Sequence, residues 1–175
     1  MLISESYRAQ QAALHASTTY GVTGAKFAAP VIATLQGVDG RSVLDYGAGS
    51  GSLREPLMRA AQRAGITVVY TAYEPAIPKW ADPPEPADVV ACIDVLEHIE
   101  IDCIDAVLDD IRRCALKGVY MTIHCGPAGK TLPDGRNAHL IQQPTHWWLP
   151  RLCERFEPRM LTWMGRGFQF AGLPA

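Results

Sequence analysis

Val43-Leu44-Asp45-Tyr46-Gly47-Ala48-Gly49-Ser50-Gly51 changes character half-way, from a short apolar run into alternating glycines. With Arg41 and Ser42 before it, the first half reads as a buried strand; the second is too glycine-rich to continue one and reads as a loop. Ser52 to Ala64 then has helix-forming composition, with Leu53, Leu57 and Ala61 on one face and Gly65 as the stop. Ile66 to Tyr73 is a second strand, ending at Glu74-Pro75. A strand, a helix and a strand within about thirty residues are the mark of a right-handed parallel crossover.

The pattern extends in both directions. Five prolines between 75 and 86 exclude regular helix and central strand, so a loop is expected there. Ala87 to Asp94 is the next buried strand, and Ile101, Ile104, Val107, Leu108 and Ile111 recur at helical spacing with Asp102, Asp105, Asp109 and Asp110 opposite. Gly118 to His124 is a further strand, 125–140 a polar loop, and 144–156 a helix with Trp147, Trp148, Leu149, Leu152 and Phe156. Strands follow at Arg159–Trp163 and Gly167–Gly172. Upstream, 4–36 reads as two short helices joined at Gly21-Val22-Thr23-Gly24, with Pro30 kinking or breaking continuous helix. The expected fold class is α/β: a doubly wound, Rossmann-like, mostly parallel sheet closing on a terminal antiparallel strand.

At 175 residues, 48% hydrophobic and 19% charged, the chain is sized for one domain and too apolar for disorder. We divide 1–175 into a helical cap (1–39), a cofactor-binding core (40–125) and a substrate loop, helix and final strand pair (126–175). No run approaches the ~20 apolar residues of a membrane span, and Met1-Leu2-Ile3-Ser4-Glu5 has no basic, then apolar, leader, so a cytoplasmic location is expected. The five cysteines form no CxxC and are expected to be reduced; the spacing of eleven from Cys92 through Cys103 and Cys114 to Cys125 defines no common face. Charge is lopsided: 7 basic and 15 acidic side chains in 1–110, against 9 and 3 in 111–175. Either this is a solvated dipolar surface, or Lys130, Arg136, Arg151, Arg155, Arg159 and Arg166 form a rim that attracts an anionic substrate such as a nucleotide or nucleic acid.

Ligands of open α/β sheets bind at the carboxyl ends of the strands, which directs attention to the glycine loop. Glu74, 23 residues past Gly51, can accept hydrogen bonds from two ribose hydroxyls. The spacing departs from the dinucleotide fingerprint G-x-G-x-x-G, because Ser52 stands at its sixth position. His124 ends a strand and is a candidate general base, needed for a hydroxyl acceptor more than for a neutral amine. The loop from Lys130 to His139 is longer and more polar than a connection requires, which suggests substrate recognition and adds His139 as a candidate. Trp147 and Trp148 are expected in core and rim packing.

In these residues the chain resembles the class I S-adenosylmethionine-dependent methyltransferases. Residues 43–51 match that family's first motif, Tyr73-Glu74-Pro75 the acidic end of its second strand, and Asp88 to Ile99 its fourth motif. The resemblance implies S-adenosylmethionine as cofactor, with Asp45, Gly47, Gly49 and Gly51 around its methionine part, Glu74 on the ribose and Asp94 as a further contact. It implies methyl transfer to an oxygen or nitrogen of a small molecule or nucleic acid, the alternative being a module that binds the cofactor without turnover. The adenine contact expected after a third strand has only Asp82 as a candidate. Asp94, Glu97 and His98, at i, i+3 and i+4, would share one side of a helical turn and could bind a divalent metal ion with His139 or His146 as fourth ligand. That cluster is similar to metal-dependent small-RNA 2′-O-methyltransferases and ubiquinone-pathway O-methyltransferases, with Asp in place of Glu at its first position; a structural or cofactor-contact role is the other reading.

Overall fold

The computed structural model describes residues 1–16 and 20–175. Chain order gives α1 (Glu5–His15), α2 (Ala28–Gly37), β1 (Ser42–Tyr46), α3 (Arg54–Arg63), β2 (Val69–Tyr73), β3 (Ala87–Ile93), α4 (Ile104–Cys114), β4 (Ala115–His124), α5 (Thr145–Cys153), β5 (Phe156–Met164) and β6 (Gly167–Pro174). Among the described residues one six-stranded sheet runs in the order β2-β1-β3-β4-β6-β5. The first four strands are parallel, β6 is antiparallel to β4, and β5 is antiparallel to β6.

Strand periodicity explains the two cores. Val89, Ala91 and Ile93 of β3 face α2 and α3 with Val31, Leu35 and Leu57, whereas Val90 and Cys92 face α4 and α5 with Leu108, Ile111 and Trp148. The interior strands are therefore apolar on both sides, as a parallel sheet covered on both faces requires. The fold class expected from the sequence is the one observed, with the antiparallel pair at one edge.

Local departures have physical causes. Pro30 does not break α2: it is the third residue of the helix, where no intrahelical N–H bond is lost. Ile101 precedes α4 in a 3₁₀ turn and is 52% exposed, so it lies outside the buried stripe that begins at Ile104. Phe156 belongs to β5 rather than to the preceding helix, and is fully buried there. The proline-rich 75–86 stretch carries only a 3₁₀ turn, Pro78–Trp80, so β2 is left as the sheet edge.

The basic C-terminal third is largely matched within the molecule. Arg155, in the turn after α5, meets Asp105 at 3.4 Å and Asp109 at 2.6 Å, Arg151 also reaches Asp105, Arg136 pairs with Asp134, and Arg159 pairs with Glu157. The acidic outer face of α4 thus neutralises two arginines of the expected anion-attracting rim, and local carboxylates neutralise two more. Trp147 stacks under the Arg151 guanidinium at 3.8 Å and Trp148 is buried, consistent with packing roles.

Candidate active site

The carboxyl ends of β1, β2, β3 and β4 open on a cavity of ≈ 350 Å³, within the size range of pockets that hold a single small ligand. Its floor is the turn after β1. Gly47 has φ +75°, and a Cβ there would stand 2.5 Å from the Val95 side chain; Gly49 has φ +53°, and a Cβ would stand 2.8 Å from the Gly21 backbone. Glycine is required at both positions by backbone handedness and by close approach. Gly51 lies outside the cavity lining, because the Trp80 ring packs against it.

Glu74 at the end of β2 is buried and held from two sides: Oε2 accepts from Gly49 N at 3.2 Å, Oε1 from Ala76 N at 3.1 Å. The carboxylate thereby fastens the glycine turn to the second strand and keeps lone pairs for a ligand. Asp45, also in the lining, accepts from the Tyr70 hydroxyl at 2.6 Å; burial drives its carboxyl up to about 7. Asp94 follows β3 at φ +59°, its N–H donating to Thr122, while its carboxylate accepts from Thr23 Oγ1 at 3.1 Å. Asp82 is exposed and outside the cavity, so it is not in place as the adenine contact.

Four of the five histidines, His15, His98, His124 and His139, line this cavity. With Tyr20 they make a continuous arc of rings: His15–Tyr20 at 4.9 Å, Tyr20–His98 at 5.9 Å, His98–His139 at 4.7 Å and His139–His124 at 5.0 Å between centroids. His98 Nδ1 bonds to Ala138 O at 2.8 Å, and His139 Nδ1 to Gly126 O at 2.7 Å. A carbonyl only accepts, so Nδ1 carries the proton in both rings and Nε2 keeps its lone pair when the ring is neutral. Burial, reinforced by His139, lowers the His98 pKa to about 4, and burial also lowers that of His139. Both rings are therefore uncharged at neutral pH. The Asn137 side chain sets the loop that carries His139: its oxygen accepts from Ala128 N and His139 N, each at 2.9 Å, and its amide donates to Ala128 O.

The four expected metal ligands are not assembled. Glu97 is fully buried behind the cavity wall, where Oε1 accepts from His124 N at 2.8 Å. Burial and the neighbouring Asp94 raise its carboxyl well above the usual range. The turn after β3 is a 3₁₀ turn, Leu96–His98, preceded by the left-handed Asp94, so the helical spacing that would align Asp94, Glu97 and His98 is lost. His146 is exposed on α5 and lies outside the cavity. Among the described residues no group of three or more His, Cys, Asp or Glu side chains is arranged to hold a metal ion.

Sequence reasoning missed the contribution of α1. Tyr7, Gln11 and His15 line the cavity from above, and their i, i+4, i+8 spacing marked one helical face.

The family model described as a methyltransferase domain matches residues 23–174. The chain belongs to the methyltransferase domain family. Comparison with curated proteins found no match. Solved structures similar to this methyltransferase domain include magnesium protoporphyrin IX methyltransferase from Synechocystis PCC 6803 with bound S-adenosylhomocysteine, at 18% identity over 88% of this chain and 84% of that one, TM-score 0.59. Another is 1,6-didemethyltoxoflavin-N1-methyltransferase from Burkholderia thailandensis with bound 1,6-didemethyltoxoflavin and S-adenosylhomocysteine, at 17% identity over 88% and 79%, TM-score 0.58. A third is an O-methyltransferase family protein from Burkholderia thailandensis, at 15% identity over 95% and 63%, TM-score 0.63. At these identities the likeness of the methyltransferase domain to each is one of fold. No helix among its described residues is long and apolar enough to cross a membrane.

Proposed function

We propose that this methyltransferase domain uses S-adenosylmethionine to methylate an oxygen or nitrogen of a small molecule. The observation that carries the reading is the continuity of the cavity, which joins Gly47, Gly49 and Glu74 to His124 and His139 in one space. A group transfer needs donor and acceptor held in one such space, in line and free of competing water. The residues fit the cofactor: the turn at Gly47 and Gly49 brings side-chain-free backbone to the cavity, and Glu74 offers a fixed carboxylate to a ribose diol.

When bound, the cofactor supplies a sulfonium methyl group that can pass to a lone pair on the acceptor. In our reading Gly47, Gly49 and Asp45 hold its amino-acid end and Glu74 its sugar, with Asp94 facing the middle of the cavity. His139 Nε2 takes the proton that an acceptor hydroxyl or N–H gives up, and His124 lies beside it to orient the acceptor. Asp94 contributes a negative potential that favours the resulting imidazolium. A small-molecule acceptor is favoured over nucleic acid because the expected basic rim is largely paired with carboxylates. We also read the chain as one domain acting in the cytoplasm.

Calorimetric titration with S-adenosylmethionine and S-adenosylhomocysteine, followed by an acceptor screen read as S-adenosylhomocysteine formation, tests this function. Saturable binding with turnover supports it. Binding without turnover on any hydroxyl or amine acceptor supports a non-catalytic module, and absence of binding removes the proposal.

A further inference from the structure

The last turn of α1 reaches the Glu74 end of the cavity. The His15 side chain is only 9% exposed, and its Nε2 stands 3.7 Å from Glu74 Oε2, which is equally buried. That distance is too long for a hydrogen bond, and it leaves room for a hydroxyl beside the pair that bonds to both. Burial lowers the His15 pKa more than Glu74 raises it, so at neutral pH the ring is an uncharged imidazole with one N–H and one lone pair.

The ring is also fixed in place. It packs against Tyr20 at 4.9 Å and 63°, and a Cβ on Gly21 would meet both the His15 ring, at 3.0 Å, and the Gly49 Cα, at 2.9 Å. Gly21 O in turn accepts from Ser50 N at 3.0 Å and Ser50 Oγ at 2.8 Å. His15, Gly21 and the glycine turn therefore meet directly beside Glu74.

We propose that His15 is a binding residue of this site, bracketing with Glu74 the ribose diol of the nucleoside cofactor: the imidazole N–H donates to a hydroxyl whose own proton goes to the carboxylate. The inference rests on the reading that Glu74 receives the ribose. It places α1 in the wall of the cofactor site, where Tyr7 and Gln11 of the same helix also line the cavity.

The test compares S-adenosylhomocysteine with its 2′-deoxy and 3′-deoxy ribose analogues by calorimetry on the full chain, as wild type, His15→Ala, His15→Phe and Glu74→Ala. His15→Phe keeps the ring against Tyr20 and Gly21 and removes the N–H, so it carries the test if the alanine variant folds poorly. The expected result is about tenfold weaker S-adenosylhomocysteine binding in either His15 variant, the worth of one hydrogen bond. At least one deoxy analogue should lose little further affinity in those variants, because its missing hydroxyl was the one His15 held. Unchanged affinity and unchanged ribose discrimination in both His15 variants, with loss in Glu74→Ala, would overturn the role of His15 and leave the ribose reading standing. Unchanged binding in Glu74→Ala would overturn the ribose reading itself, and this inference with it.

Discussion

His98 and His139 meet edge to face, with centroids 4.7 Å apart and planes at 88°. Each ring gives its Nδ1 proton to a backbone carbonyl, so the contact joins two imidazoles of fixed tautomer. Desolvation and the neighbouring His139 lower the His98 pKa to about 4, so that ring is uncharged across the physiological range, whereas His139 touches both His98 and His124 and in our reading is the ring that gains and releases a proton.

Replacing His139 by alanine is therefore expected to lower turnover by roughly 10²-fold. Its S-adenosylhomocysteine affinity should stay within about threefold of wild type, or ~0.7 kcal/mol. Because the His139 pKa is lowered, wild-type activity should persist below pH 6.5 and fall only as further acidification protonates the ring. Initial rates against pH, paired with calorimetry, decide this; an unchanged rate in the variant removes His139 from the chemistry.

Glu97 is expected to act as a neutral acid. Its raised pKa means that the folded state holds a proton which the unfolded chain releases from about pH 4.3 upward. Stability should thus fall as pH rises from that value toward the folded pKa. Glu97→Gln should remove this decline and retain activity, whereas Glu97→Ala should cost about 1–3 kcal/mol by leaving His124 N without its acceptor. Denaturant titrations at several pH values measure both. Loss of activity in the glutamine variant, with the fold intact, would show that the charged form is used.

Gly47→Ala combines a left-handed backbone at φ +75° with a collision against Val95. We expect a loss of ~2–3 kcal/mol and weakened cofactor binding. Val95→Ala in the same chain should recover the part due to collision and leave the backbone part. Additive effects in a double-mutant cycle would show that the two positions do not meet.

Asp45, with a carboxyl at about 7, has a second signature. The folded protein is protonated there between about pH 4 and pH 7, where the unfolded chain is ionised, so stability falls with rising pH through this window. Asp45→Asn should flatten that segment of the profile, measured as thermal midpoint against pH. An identical profile in the variant would assign the effect elsewhere.

Much of the fold could be read from residues 41–124, because apolar runs, glycine stops and a single amphipathic helix are local signals. Glu74 and the turn at Gly47 were legible for the same reason. The failures were non-local. Asp94, Glu97 and His98 have helical spacing, but a left-handed residue followed by a 3₁₀ turn sends Glu97 behind the wall, and nothing in the string announces that turn. His139 owes its place to the Asn137 amide, whose partners are set by the folded loop. Arg151 and Arg155 looked like part of a binding surface because their partners on α4 are more than forty residues away in sequence.

The N-cap of α1 has a bearing on how the chain assembles. Ser4 gives both its backbone N–H and its hydroxyl to Glu100, at 2.8 Å each, and the Tyr7 hydroxyl donates to His98 O. These anchors lie more than ninety residues away, so α1 is made early on the ribosome and can dock only after the β3–α4 region exists. The helix that roofs the cavity therefore cannot settle before that distant segment has taken its place.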